Sequence, residues 1–460
     1  MDKNRENRGN AVNAITEGVI WQQILLYFFP ILLGSFFQYL YNTADAVIVG
    51  KFVGTEALAA VGGPAGTLIN LLLGFFSGLS SGGTVIIAQF YGSGNKTKVS
   101  NAVHTAVALS IVGGLVMMGI GIPFSRVALG LMHTPADVID LSTTYMRLCF
   151  AGILPSLIYN IGSGILRAVG DSKRPLYFLI VCCFANIVFD LIFVVVLGMG
   201  VAGAAIATAL AQSLSAVLVV LTLMRTKDCY RLFIRKIRFY DNILGNIVKI
   251  GLPAGLQSVM YSLSYIILQT CVNSFGTTVI AAYTAYGKLD GIALMVMGAF
   301  GATATTFVGQ NFGAQKFDRM RKVVRWSLAL SAMFTVTLEI LLCLFAEPAM
   351  HLFTSDPAVV EQGVRITRFL VPGYVLYFAI EVFAGALRGS GDSLAPMLMT
   401  ALGVCLIRVP WVLVGAPYFE NILHVLTCFP ITWGITTTMF LIYYLKGGWL
   451  KRRKQAMGFQ

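Results

Sequence analysis

The chain has 460 residues, of which 57% are hydrophobic and only 12% charged, and its mean hydropathy is +0.79. Soluble domains run about 45–50% apolar and about 25% charged, so polar surface is too scarce here for a water-soluble multidomain enzyme. The net charge of +13 is not a nucleic-acid signature, because Lys and Arg collect in the gaps between apolar runs.

A transmembrane helix needs roughly 20 mostly apolar residues, and twelve with short connections need about 300–350, which this length accommodates. Runs between turn and charge signals predict spans near 22–49, 57–89, 100–121, 138–165, 175–197 and 201–224. Six more follow near 247–272, 279–309, 323–346, 362–387, 395–418 and 422–445. The domain organisation is therefore a tail (1–21), a six-helix bundle (22–224), a basic connector (225–245), a second bundle (246–445) and a basic tail (446–460). The basic gaps are Lys3 to Arg8, Lys96/Lys98, Arg167/Lys173/Arg174, Arg225 to Arg238, Lys316 to Arg325 and Lys446 to Lys454. They alternate with gaps holding little beyond Lys51 and Arg126, the positive-inside pattern, which puts both termini in the cytoplasm. The polar start leads into a long span without a cleavage site, so it is no secretory signal, and a bacterial inner membrane is expected. Eight scattered cysteines, several inside apolar runs (Cys182, Cys183, Cys271, Cys405), read as small buried hydrophobes.

The two halves repeat. Leu166-Arg167-Ala168-Val169-Gly170-Asp171-Ser172 and Pro175 match Leu387-Arg388-Gly389-Ser390-Gly391-Asp392-Ser393 and Pro396 at one constant offset. Ala88-Gln89-Phe90-Tyr91-Gly92 matches Gly309-Gln310-Asn311-Phe312-Gly313 at the same offset. Val53-Gly54-Thr55 pairs with Phe275-Gly276-Thr277 one residue further on. An even-numbered unit in tandem keeps its orientation, so the repeats are parallel, with a cleft expected between bundles that rock to give alternating access.

Asp45 and Asp190 are the strongest site candidates. A carboxylate in hydrocarbon costs at least about 2.5–3.5 kcal/mol on insertion scales, which makes it a functional hypothesis by default. Spans 1 and 5 both run outward; at 1.5 Å per residue Asp190 lies about 22 Å beyond Pro175, in the layer expected for Asp45 and for Thr208 on the returning span 6. Asn186 precedes Asp190 by one helical turn and faces the same way. Two acids, an amide and a hydroxyl away from water can share a proton or ligate a hard monovalent cation, Na⁺ being the only metal anticipated. The bland alternative is an interhelical network that glues spans together.

Pro30, Gln38 and Asn42-Thr43-Ala44-Asp45 on span 1, the doubled Leu-Arg-x-x-Gly-Asp-Ser loop and the twelve-span repeat resemble the multidrug and toxic compound extrusion (MATE) transporters over roughly 20–450. Asn186-x-x-x-Asp190 with Thr208 is similar to the DinF-like branch. The resemblance implies an all-α polytopic protein of two pseudo-symmetric six-helix bundles and a secondary antiporter that exports amphipathic, cationic drugs against inward H⁺ or Na⁺ by a rocker switch. It adds Tyr145 and Asn160 on span 4 to the ion-coupling group. Its other branches carry an acid where this chain has Tyr261, a departure that favours coupling in the N-terminal bundle.

Other residues carry weaker signals. Met260, Met295, Met297 and Phe300 are candidates to line an adaptable apolar cavity, with packing as the alternative. Pro30 is a hinge or a static bend, and Arg167 with Asp171 and Arg388 with Asp392 are gate or loop-shaping ion pairs. Arg147 is a carboxylate partner or an interfacial snorkeller. Lys288, Asp290, Glu339, Glu381 and Arg408 are charges inside the C-terminal bundle, with Glu381 and Arg408 a candidate structural pair. Gly198 to Gly203 spells G-x-G-x-x-G outside any strand–turn–helix unit, so it is no dinucleotide site. There is no P-loop motif, and the histidines (His104, His133, His351, His424) are isolated. An ATP-independent monomer in the lipid bilayer is expected, with small organic cations as cargo, no cofactor, no enzymatic activity and no nucleic-acid partner. Two alternatives stand beside the antiporter: a lipid-linked precursor flippase of the same superfamily, and an uncoupled channel or receptor.

Overall fold

A computed structural model describes residues 15–456 apart from His133, and so the basic stretch Lys3 to Arg8 and His133 lie outside the described residues. Among the described residues eleven helices are long and apolar enough to cross a membrane, and a bent pair supplies the twelfth span. They are α1 (Ile20–Phe52), α2 (Thr55–Gly92), α3 (Lys96–Leu131), α4 (Ile139–Ala151 with Ile153–Ala168, bent by 47°), α5 (Lys173–Val196) and α6 (Gly200–Arg225). The second set is α7 (Asp241–Asn273), α8 (Thr277–Gly313), α9 (Phe317–Leu344), α10 (Pro357–Gly389), α11 (Leu394–Gly415) and α12 (Ile422–Lys446). A short basic helix, α13 (Gly448–Ala456), follows. The expected all-α polytopic membrane fold is what forms.

Two compact units emerge. One is Phe29–Gly255; the other joins the described residues up to Phe28 to those from Leu256 onward. The divisions fall within α1 and α7, next to Pro30 and Pro253, each a proline inside a 33-residue helix.

The first unit packs around Val85, Ile87, Val103, Ile161, Ile165, Val219 and Ile247, drawn from α2, α3, α4, α6 and the start of α7. Its tightest seam is glycine on glycine. A Cβ on Gly78 would lie 2.4 Å from the Gly255 nitrogen, and one on Gly82 2.3 Å from the Ile247 carbonyl oxygen. Two small-x-x-x-small pairs, Gly78/Gly82 and Gly251/Gly255, let the α2 and α7 backbones touch where lipid offers no hydrophobic driving force. In the second unit Gly385 approaches the Gly301 carbonyl as closely, and Phe300 stacks on Phe28 at 4.0 Å.

The repeated loops have one shape. In each, glycine takes a positive φ (Gly170 96°, Gly391 91°), and the aspartate N–H returns to the leucine carbonyl at 2.9 Å. Gly94 (72°) and Gln315 (57°) are a second matched pair, and Gln315 is the only described non-glycine residue at positive φ.

Candidate functional site

The helical period places the first unit's acid site. Within it, Thr208 Oγ1 of α6 donates to Asp45 Oδ2 of α1 at 3.0 Å, and Asn186 Nδ2 of α5 reaches Thr208 Oγ1 at 3.5 Å. Asp190, one turn beyond Asn186, adjoins the Asp45 carboxyl closely enough for the charge of one to act on the other. Asn186 and Asp190 are wholly buried, and Asp45 is 8% exposed. The donors present turn the hydroxyl and amide so that Asp45 Oδ1, Asn186 Oδ1 and both Asp190 oxygens face inward without a hydrogen-bond donor. Buried polar atoms are almost always paired, so four unpaired oxygens in one place need a reason. A proton shared by the carboxyls or a hard cation among the oxygens meets it.

Neighbours complete the pocket at the same spacing. Tyr41 lies one turn before Asp45 and accepts from Gln212 Nε2 at 3.1 Å; Gln212 lies one turn after Thr208. Tyr145 and Cys149, one turn apart on α4, both feel the Asp45 charge. Tyr41, Gln212 and Cys149 were not singled out by sequence, yet a four-residue spacing from each candidate would have found them. Directly after Asp190 the helix widens to π geometry over Leu191–Val196, with the Leu197 N–H reaching the Ile192 carbonyl at 2.9 Å. Such bulges are frequent at functional sites.

Other expected residues lie elsewhere. Asn160 turns back on its own helix, donating to the Ser156 carbonyl at 2.9 Å. Arg147 is exposed and donates to the Ile122 carbonyl, so it is no carboxylate partner. Gln38 is exposed on α1. Met297 and Phe300 are wholly buried in packing, which corrects the expectation that they line a cavity, whereas Met260 and Met295 are half-buried.

The second unit handles its charges differently. Asp290 Oδ1 accepts the hydroxyls of Tyr374 and Tyr286, and Glu381 Oε1 accepts that of Tyr377 at 3.0 Å. Arg408 does not pair with Glu381: its guanidinium donates to Thr432 Oγ1 at 3.0 Å and lies 4.3 Å over the Phe429 ring. Tyr261 is close enough to both Glu381 and Arg408 for their charges to act on it. Lys288 points away from Asp290 and is exposed, as two residues' separation on a helix requires. Glu339 is half-buried on α9.

In the loops, Asp171 pairs with Arg174 at 3.3 Å. Asp392 instead accepts from Tyr443 at 2.7 Å, while Arg388 donates to the Ala384 carbonyl, so the expected Arg388–Asp392 pair does not form. Arg453 of α13 packs on Gly391 and donates to the Ser390 carbonyl at 3.3 Å. Burial in this contact holds the Arg453 guanidinium below its ordinary value.

The MatE family model matches this chain twice, at residues 30–192 and 253–414. The chain belongs to the MatE family. Each match begins at one of the two prolines inside a long helix, so the family unit and the internal repeat coincide. The probable multidrug resistance protein YoeA of Bacillus subtilis is 28% identical over 436 residues, 92% of this chain and 93% of that one. A FAD transporter of Shewanella oneidensis is 24% identical, covering 85% and 87%. The fold of a MOP superfamily transporter from Pyrococcus furiosus superimposes with a TM-score of 0.89 at 23% identity, over 96% of this chain and 98% of that one. The family is one of membrane transporters.

Proposed function

We propose that this MatE transporter is a secondary antiporter that exports amphipathic, cationic compounds in exchange for H⁺ or Na⁺. The observation that carries the reading is the cluster of buried oxygens on Asp45, Asn186 and Asp190 without donors. The multidrug resistance name borne by YoeA supports the substrate class. In this reading the incoming ion is cargo. It binds among those oxygens and cancels the repulsion between the carboxyls, and the α1, α5 and α6 backbones that carry them repack. Thr208 orients Asp45 for the ion, Tyr145 lies beside the pair, and Pro30 and the π segment after Asp190 are the compliant points. Alternating access by a rocker switch follows if repacking in the first unit changes the affinity for organic substrate.

The test is efflux of a fluorescent organic cation from proteoliposomes, with a pH gradient and a Na⁺ gradient imposed separately. Efflux driven by one of them supports the antiporter and names its ion. If neither gradient moves any of several test cations, the reading fails.

A further inference from the structure

The connector between α6 and α7 is strongly basic: Arg225 at the end of α6 is followed by Lys227, Arg231, Arg235, Lys236 and Arg238 against a single acid, Asp228. It is pinned to the first unit. His104 of α3, wholly buried, accepts the Phe233 backbone N–H at Nε2 (3.0 Å), and its Nδ1 lies 2.6 Å from the Ser100 carbonyl. The Tyr240 N–H donates to Thr105 Oγ1 at 3.3 Å, and the Leu232 N–H to the Leu223 carbonyl at 3.0 Å. Between these pins the chain turns apolar side chains outward: Phe233 is 40% exposed, Ile234 63% and Phe239 39%. Arg231 and Lys236 both lie over the Phe233 ring, at 5.0 and 4.9 Å. Basic heads around exposed apolar side chains at the ends of membrane spans suit the headgroup layer of a bilayer.

Beside the connector is a cavity of about 550 Å³ whose polar lining is Lys98 and Asn101 of α3, Arg238, and Asp241, Asn242 and Asn246 in the first turns of α7. Among the described residues neither Lys98 nor Arg238 is in an ion pair. Lys98 Nζ lies 5.6 Å over Phe90, and the Arg238 guanidinium 4.7 Å over Tyr240. Two cations thus converge from separate elements, with three amides as further donors and one acid, Asp241, that suits the positive N-terminus of its own helix.

We propose that this cavity binds the phosphate headgroup of an anionic phospholipid. Charge complementarity selects a phosphate group, for which Lys and Arg are the natural donors. Depth selects a lipid: Phe90 lies two residues before the end of α2 and Lys98 two residues after the start of α3, where a span meets the headgroups. A soluble phosphate compound would use the same donors but leave exposed Ile234 and Phe239 without a role, whereas acyl chains would cover them.

The test uses the full chain, purified in micelles containing phosphatidylglycerol and phosphatidylcholine, with bound lipid read by native mass spectrometry. Phosphatidylglycerol should be retained preferentially, and Lys98→Gln with Arg238→Gln should lower that preference about thirtyfold, since each basic residue near an anionic surface contributes roughly fivefold. An unchanged melting temperature shows that the double variant is folded. Lys322→Gln with Arg325→Gln removes two charges from a different basic gap and should leave the preference unchanged. The proposal is overturned if the cavity variant keeps the wild-type preference or if the distant pair loses as much. Displacement of the lipid by millimolar glycerol 3-phosphate would also overturn it, assigning the cavity to a soluble phosphate.

Discussion

Asp290 in the second unit receives two tyrosine hydroxyls and Glu381 receives one, whereas Asp190 in the first unit receives none. Both units bury acids inside apolar helices, at a comparable desolvation cost. In the second unit aromatic hydroxyls serve Asp290 and Glu381, and a threonine and a ring face meet Arg408. Among its described buried charged atoms only the scattered Arg408 Nε and Glu339 Oε1 lack a partner. In the first unit the donors run out: Asn186 serves Thr208, Thr208 serves Asp45, and the remaining oxygens face one another. A satisfied buried acid holds helices together, and an unsatisfied one is set up to take a ligand. Under the proposed function, ion coupling falls to the first unit, where four oxygens without donors cluster on three side chains, and Asp290 and Glu381 serve the architecture of the second.

Asp190→Asn should break this asymmetry most severely. It keeps the volume and removes the charge that a cation would meet. Gradient-driven efflux should fall roughly a hundredfold, near the upper end of ordinary coupling free energies, while the protein still inserts and folds. Thr208→Val is milder, because it removes only the hydroxyl that orients Asp45. A hydrogen bond to a charged group is worth about 1.5–3 kcal/mol, so the half-saturating concentration of the coupling ion should rise about tenfold or more, with the maximal rate less affected.

Gly251→Ala probes the first unit's packing instead of its chemistry, since the added Cβ would meet the Leu79 carbonyl oxygen at 2.4 Å. Overpacking costs about 1–3 kcal/mol, which should appear as a lower melting temperature in detergent with unchanged ion selectivity. Tyr374→Phe in the second unit should do least to transport. Losing one hydroxyl from Asp290 costs about 1.5–3 kcal/mol of stability but leaves transport coupled, so the dependence on H⁺ or Na⁺ should not move. A changed ion dependence in Tyr374→Phe would transfer coupling to the second unit.

Much of this was legible before the fold was known. Apolar runs gave twelve spans to within a few residues at most ends, because hydrocarbon thickness dictates their length. The end of α3 is the largest miss, ahead of the starts of α7, α9 and α10: the helix continues through Ser125 and Arg126 to Leu131, since a polar residue at an interface does not stop a helix. The link between Asp45, Asn186, Asp190 and Thr208 followed from rise per residue and the four-residue turn. What escaped depends on side-chain direction between helices. No periodicity says that Arg408 turns to Thr432 and Phe429, away from Glu381, or that Asn160 bonds its own helix. Nor do composition and spacing announce the bend at Gly152 or the π turn after Asp190, which arise from backbone hydrogen bonds that shift register locally.

The most direct test is cation exchange itself, measured as uptake of radiolabelled Na⁺ and as proton flux into proteoliposomes. Wild type, Asp190→Asn and Asp290→Asn should be compared side by side, each checked for folding. The account predicts that the Asp190→Asn variant loses coupled ion movement while Asp290→Asn keeps it. Coupled flux that survives in Asp190→Asn and disappears in Asp290→Asn would contradict the assignment.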